Sequence, residues 1–96
     1  MNITELRAIG GFVESEPVKV PVVWKDNEFD VYVRRLAFAD VERLMTSGNS
    51  SIDLIASSIL LGDEHKPLTK ADAEQLEVSL AAKLLEAVNT VNAPKP

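Results

Sequence analysis

Residues 18–36 carry the strongest structural signal in the chain, two segments of alternating apolar residues separated by turn-forming residues. Residues 18–24 and 29–33 each place an apolar side chain at every second position, which is the period of a half-buried β-strand. Asp26 and Asn27 lie between the two segments and favour a tight turn. The sequence therefore predicts an antiparallel β-hairpin with one wholly apolar face, and Pro21 predicts that its first strand lies at a sheet edge.

The pattern also predicts a register for this hairpin. With Asp26 and Asn27 at the tip, Trp24 would face Phe29. Further apolar pairs would join Val22 to Val31 and Val20 to Val33. A slip of one residue would mix the apolar and polar faces, so we expect the apolar pattern to fix the register.

The polar face of the predicted hairpin offers a first candidate for protein binding. In the expected register Lys19 lies opposite Arg34, and like charges in that position are destabilising unless an acidic group is nearby. Lys19, Arg34 and Tyr32 are therefore candidate partner-binding residues. The alternative is that both charged side chains extend separately into water.

The rest of the chain predicts helices. Asn2 could cap a short helix that ends at Gly10 and Gly11. Three stronger helices follow the hairpin, each with apolar residues at spacings of three and four. They are expected from about residue 38 to the Ser47-Gly48-Asn49 stop, from the capping pair Ser50 and Asp53 through Ile59 and Leu60 to Gly62, and from the capping pair Thr69 and Asp72 to Asn92.

The last predicted helix offers a second candidate surface. Its expected core stripe consists of Ala73, Leu76, Leu80, Leu84, Ala87, Val88 and Val91. Val78 and Leu85 lie off this stripe, which makes them candidate residues for binding a client or another copy of the chain. The alternative is a helix buried on two sides within one small domain.

These elements predict an α+β fold in which an N-terminal antiparallel hairpin packs on about three C-terminal α-helices. The 96 residues suit a single domain. We expect residues 1–16 to form an arm or short helix, 17–36 the hairpin, 37–92 the helical part and 93–96 a flexible tail.

Composition narrows the function classes. The formal net charge of −5 disfavours nucleic acid as a partner. We expect no membrane span and no signal peptide, since the chain lacks a long apolar run and a basic-then-apolar start. It has no cysteine, and His65 is its single histidine, so we expect no cofactor, no metal site and no enzymatic activity.

Several short blocks resemble the tail assembly chaperones of long-tailed, lambda-like bacteriophages. They are residues 24–36 with the VYVRRL block at 31–36, ADVE at 39–42, DE at 63–64, KPLT at 66–69, ADA at 71–73 and LLEAVN at 84–89. The resemblance spans about residues 18–92. His65 stands where a glycine is expected in the acidic loop.

The resemblance implies a protein of the infected host's cytoplasm that binds the tape measure protein and keeps it soluble. It also implies that the protein promotes polymerisation of tail tube protein and is absent from the mature virion. Whether the protein also forms a homo-oligomer is left open. The alternative is a small phage structural or regulatory protein acting through protein–protein contacts, although no predicted helix is basic enough to recognise DNA.

The family also makes a longer second product by ribosomal frameshifting near the end of the short reading frame. An extension that starts after the last helix would leave the domain intact. Pro94 and Lys95 permit the slippery codon sequence C-CCA-AAG, although the amino acids do not show which codons are used.

Overall fold

The computed structural model describes residues 1–92, and the predicted tail at 93–96 lies outside the described residues. In chain order the elements are α1 (Ile3–Ala8), β1 (Val18–Trp24), β2 (Asn27–Val33), α2 (Phe38–Met45), α3 (Ser50–Ser58), β3 (Ile59–Leu61), β4 (Lys66–Pro67), α4 (Lys70–Glu74) and α5 (Val78–Asn92). The fold is α+β, as predicted, with a four-stranded antiparallel sheet and five helices where the sequence predicted a hairpin and about three main helices.

The sheet has the strand order β1-β2-β3-β4, so β1 is an edge strand as Pro21 predicted. Its inner face packs on the helices: α5 contacts β1 and β2, and α3 contacts α5 and α4. The buried core consists of Val22, Val31, Val33, Ile55, Ile59, Ala73, Leu84, Ala87 and Val88. Val20 and Phe29 pack against its margin, so the predicted apolar face of the hairpin is confirmed.

The predicted hairpin register is wrong by two residues. Val22 lies opposite Phe29, and Trp24 lies opposite Asn27. The tip is formed by Lys25 and Asp26, and Lys25 has the positive φ, 55°, that is typical of the first position in a type II′ turn. A slip of two residues keeps every side chain on its face, so alternation alone does not distinguish the two registers.

The observed register removes the predicted opposition of Lys19 and Arg34. Lys19 instead lies opposite Tyr32. Its Nζ is 3.5 Å from the Asp30 carboxylate on the neighbouring strand. The like-charge pair that the sequence analysis expected is therefore replaced by an exposed ion pair.

Helix α3 ends earlier than predicted because its last expected turn joins the sheet. Ile59 pairs with Val33 and Leu60 pairs with Tyr32, so these residues form β3. Pairing satisfies the open edge of β2 and buries Ile59 completely, which outweighs the local helical pattern. The β3–β4 turn needs left-handed backbone at His65, φ 52°, where the family resemblance had suggested glycine.

The predicted single helix from Thr69 to Asn92 is divided in two. The Thr69–Asp72 capping box is confirmed at the start of α4. The chain then leaves the helix, and α5 begins at Val78. The Glu77 carboxylate accepts a hydrogen bond from the Ser79 N–H at 2.9 Å and so caps the start of α5, which the sequence analysis did not predict.

Two side-chain contacts fasten α5 to the sheet at its ends. Near its start, Trp24 Nε1 donates to Ser79 Oγ at 2.8 Å. At its end, Asn92 Oδ1 accepts from the Leu36 N–H at 2.8 Å, and Asn92 Nδ2 donates to the Arg34 carbonyl at 3.3 Å. The connection between β2 and α2 is thereby held against the C-terminal turn of α5.

Candidate protein-binding surface

Helix α2 exposes most of its apolar side. Its apolar residues Phe38, Val41, Leu44 and Met45 recur at the spacings of three and four that the sequence analysis described, but only Leu44 is buried. Phe38 and Met45 are 82% and 80% exposed, and Val41 is 41% exposed. Two large apolar side chains this open on one short helix are typical of a surface that another molecule covers.

The start of α2 is fixed by Asp40. Its carboxylate accepts a hydrogen bond from the Ala37 N–H at 3.0 Å and contacts Arg43 Nη2 at 3.0 Å. The hydrogen bond from Ala37 is the main cause that lowers the pKa of Asp40, and the Arg43 contact adds to it against the opposing effect of burial. The carboxylate therefore stabilises the helix that carries the exposed residues.

A groove of about 460 Å³ lies between α2 and α3. Its apolar lining consists of Leu36, Val41, Leu44, Met45 and Leu54. Ser47 donates a hydrogen bond to Asp53 at one end, and Lys70 Nζ approaches the same carboxylate at 3.9 Å. The groove thus combines apolar side chains with serines, and the Asp53–Lys70 pair lies beside Ser47, a layout that an amphipathic segment of a partner fits.

A second, larger groove of about 800 Å³ continues from the N-terminal end of α2. Residues 9–14 line one side, and residues 35–39 with Val91 and Asn92 line the other. Phe38 belongs to this groove. Phe38 also starts the helix that borders the first groove, so we treat the exposed side of α2 and both grooves together as the α2 surface.

The hairpin residues named from the sequence lie elsewhere. Tyr32 is half-buried, and its ring lies 4.2 Å from that of His65. Arg34 is exposed and donates from Nη1 to the Ser57 carbonyl at 3.0 Å. Lys19 and Tyr32 share the outer sheet face, whereas Arg34 lies beyond the end of β2 and bonds to α3. These contacts do not join the α2 surface.

The two residues named on the last helix differ in exposure. Val78 is 81% exposed in the first turn of α5, whereas Leu85 is half-buried and packs against the core. A shallow apolar depression surrounds Leu85, formed with Ala82, Glu86, Asn89 and Thr90. The two residues therefore belong to different surroundings on one helix.

Sequence reasoning placed Phe38 and Met45 in a predicted helix but did not identify them as exposed surface residues. Helical spacing shows that apolar side chains share a side, but it does not show what that side faces. The length of the helix was a usable signal. Helix α2 has eight residues, of which four are large and apolar, and a small domain has too small a core to bury all four.

Within residues 1–92 no group of three or more histidine, cysteine, aspartate or glutamate side chains is placed to hold a metal ion. Among the helices of the same residues, none combines the length and the apolar character needed to cross a bilayer.

The described residues thus form a small α+β domain with two open grooves beside α2. The family model described as phage tail assembly chaperone matches residues 4–92. The chain belongs to this family of tail assembly chaperones, which confirms the resemblance found in the sequence. Comparison with curated proteins and with solved structures gave no match.

Proposed function

We propose that this tail assembly chaperone binds the tape measure protein through the α2 surface. Binding would keep the client soluble in the host cytoplasm and present it for polymerisation of tail tube protein, and the chaperone would leave before the virion is complete. The observation that carries the proposal is the exposure of Phe38 and Met45, at 82% and 80%. Family membership supports the choice of a tail protein as client.

The layout of the α2 surface suits an amphipathic helical client. The groove between α2 and α3 offers the apolar floor into which such a helix sets side chains at spacings of three and four. Helix α2 itself carries charges of both signs, Asp40, Glu42 and Arg43. Charges near such a contact select partner and orientation more than they add affinity.

The residues first named from the sequence remain rival binding sites. Lys19, Tyr32 and Arg34 would bind a client along the hairpin, and Val78 with Leu85 would bind it along α5. We rank them below the α2 surface because Lys19 and Arg34 already have partners, and Leu85 is half-buried.

The test is co-purification of the tape measure protein with chaperone variants. Phe38→Glu and Met45→Glu should each weaken binding by about tenfold or more, because each places a charge in the apolar contact. Both variants should keep the wild-type melting temperature, since the two side chains are largely exposed.

Val78→Glu and Val23→Glu are the matched controls. Val78 and Val23 are 81% and 57% exposed, and both lie outside the α2 surface. Both variants should bind the client like the wild type. Loss of binding in Val78→Glu with retention in Phe38→Glu would overturn the proposal and move the client to α5.

We further propose a longer frameshifted product that shares this domain. The support is family membership and the Pro94–Lys95 codon pair, which lies outside the described residues. Gene sequencing with mass spectrometry of infected cells tests it. A minor longer product containing this domain is expected, whereas codons that cannot re-pair and a closed overlapping frame would contradict it.

A further inference from the structure

The N-terminal arm, residues 1–14, is folded by contacts within itself. Helix α1 ends in a Schellman motif, in which the Gly10 N–H donates to the Arg7 carbonyl at 3.1 Å. The Gly11 N–H completes the motif by donating to the Leu6 carbonyl at 2.9 Å. Gly10 has the left-handed φ of 85° that the motif requires. The chain therefore turns back on α1 as soon as the helix ends.

The turn places Phe12 against the helix that precedes it. The Arg7 guanidinium lies 5.0 Å from the centroid of the Phe12 ring. Gly11 leaves room for the Leu6 side chain, since a Cβ at Gly11 would lie only 2.6 Å from Leu6 Cγ. The arm therefore has a shape of its own.

The arm is only loosely attached to the rest of the domain. Every residue from 1 to 16 is exposed, and within residues 1–92 the hydrogen bonds of this segment all lie inside the arm. No ion pair of the described chain joins the arm to residues 17–92. Ser15 and Glu16 connect the arm towards β1 without helix or strand. A segment with so few contacts is displaced at a low free-energy cost, so the arm can move as a unit about these two residues.

The arm forms one wall of the groove beside the N-terminal end of α2. Residues 9–14 line one side of this groove, and residues 35–39 lie on the other. Ile9 and Phe12 on the arm are 69% and 46% exposed, and Phe38 on the other side is 82% exposed. Apolar side chains are thus exposed on both sides of one groove, and movement of the arm towards α2 would remove both sets from water.

The two sides of the groove also carry opposite charges. Glu14 lies on the arm side and Arg35 on the side next to α2. Neither forms an ion pair within residues 1–92. Arg35 Nη1 donates to the Val91 carbonyl at 3.3 Å, which holds the guanidinium in place and leaves its other donors for a carboxylate. Charge complementarity therefore identifies the arm itself as a segment that fits the opposite side.

We infer that the arm is a lid that closes over this groove in its own chain, moving residues 9–13 onto Phe38 and Glu14 onto Arg35. The structure shows the open position, with the groove at about 800 Å³. The lid covers only the N-terminal end of α2, since no arm residue lines the groove between α2 and α3 that contains Met45. Because lid and groove belong to one chain, closing does not depend on protein concentration.

Closing of the lid has a consequence for the client. The lid and an amphipathic client would both cover Phe38, so the two compete. Met45 stays open under the closed lid, so a client would bind there first and then displace the arm. This regulatory part rests on the proposed function, whereas the closing of the lid does not.

An engineered cysteine measures closing directly, because the natural chain has no cysteine. Ala39→Cys places a thiol at an exposed position in the groove, and its rate of reaction with a small disulfide reagent reports the open fraction. Adding Glu14→Arg should raise this rate by about twofold to fivefold, the change in population that one exposed ion pair supports. Val23→Cys lies outside the groove, and its rate should be the same with and without Glu14→Arg.

A charge swap separates closing of the lid from a general loosening of the fold. Arg35→Glu alone should raise the labelling rate of Ala39→Cys as Glu14→Arg does. The two charge changes together should return the rate towards that of Ala39→Cys alone, because opposite charges face each other again. A double variant in which the two increases simply add would overturn the inference.

Disulfide formation gives a second, independent measurement. Oxidation of a chain with Val13→Cys and Ala39→Cys should produce a disulfide within one chain. A chain with Val13→Cys and Val23→Cys is the control and should form no internal disulfide. Failure of the first pair to link, or linking only between two chains, would contradict a lid that closes on its own groove.

Client binding separates this inference from the proposed function. Glu14→Arg should bind the tape measure protein more tightly than the wild type, by the same factor as its labelling rate increases. Unchanged client binding together with faster labelling would refute the proposed client site at Phe38 and leave the lid standing. Unchanged labelling in Glu14→Arg, with client binding lost in Phe38→Glu, would refute the lid and leave the client site standing.

Discussion

Ser58 is a polar residue placed in the core. It is fully buried at the end of α3, and its Oγ finds no hydrogen-bond partner among the described residues. A buried hydroxyl without a partner loses its hydration and gains nothing in exchange. Its backbone carbonyl does have a partner, since it accepts a hydrogen bond from the Arg34 N–H at 2.8 Å.

We therefore expect Ser58→Ala to stabilise the domain. The free energy of unfolding should rise by about 1 kcal/mol, because alanine fills most of the same space without a buried hydroxyl. Urea denaturation measures the change, with Ser57→Ala at the half-buried neighbouring position as the control. A loss of stability in Ser58→Ala would show that the hydroxyl has a partner in solution.

Helix α2 and its cap belong to the scale of single elements. The pKa of Asp40 lies below its ordinary value of 3.8 because the ionised form accepts the Ala37 N–H. A group whose pKa is lowered by folding stabilises the fold above its unfolded pKa, and this contribution disappears as the pH falls through the folded pKa. The stabilisation of α2 by Asp40 should thus be complete at neutral pH.

Asp40→Ala should lower the free energy of unfolding by about 1 kcal/mol at pH 7, as expected for loss of a helix-capping side chain. The difference from the wild type should narrow as the pH falls below about 4, where the carboxylate becomes protonated. Urea denaturation across this range measures it. If the difference in the free energy of unfolding between Asp40→Ala and the wild type were the same at neutral and at acidic pH, the effect would come from packing and not from the charge of Asp40.

For single elements, the sequence predicted which side of a strand or helix is apolar, but it predicted less well which other element that side contacts. Alternation placed Val22 and Val31 correctly on the inner face but could not distinguish registers two residues apart. Helical spacing at Ile59 was overruled by pairing with Val33, a contact distant in sequence. The exposure of α2 could not be predicted either, because whether Phe38 is buried depends on which other elements of the fold pack against it.

On the scale of the whole molecule, Asn92 joins the last helix to the middle of the chain. Its side chain bonds to the Leu36 N–H, to the Arg34 carbonyl and, at 3.1 Å, to the Val88 carbonyl. Arg35 Nη1 adds a hydrogen bond to the Val91 carbonyl at 3.3 Å. These hydrogen bonds therefore tie the end of α5 to the segment that precedes α2.

Asn92→Ala should uncouple these two segments. We expect faster amide hydrogen exchange at Leu36, which loses its acceptor, and a decrease of about 1–2 kcal/mol in the free energy of unfolding. Asn92→Asp keeps the acceptor oxygen and should retain protection at Leu36. Unchanged exchange at Leu36 in the alanine variant would contradict the role given to Asn92.

The position of Asn92 also determines where any longer product would continue. Asn92 is the last described residue and lines the groove that contains Phe38. If a longer product continued from Asn92 through a short connection, its added segment would have an effective concentration on the order of millimolar at sites near the domain. A weak affinity of that segment for a tail protein would then add to the proposed binding of the client by the same domain.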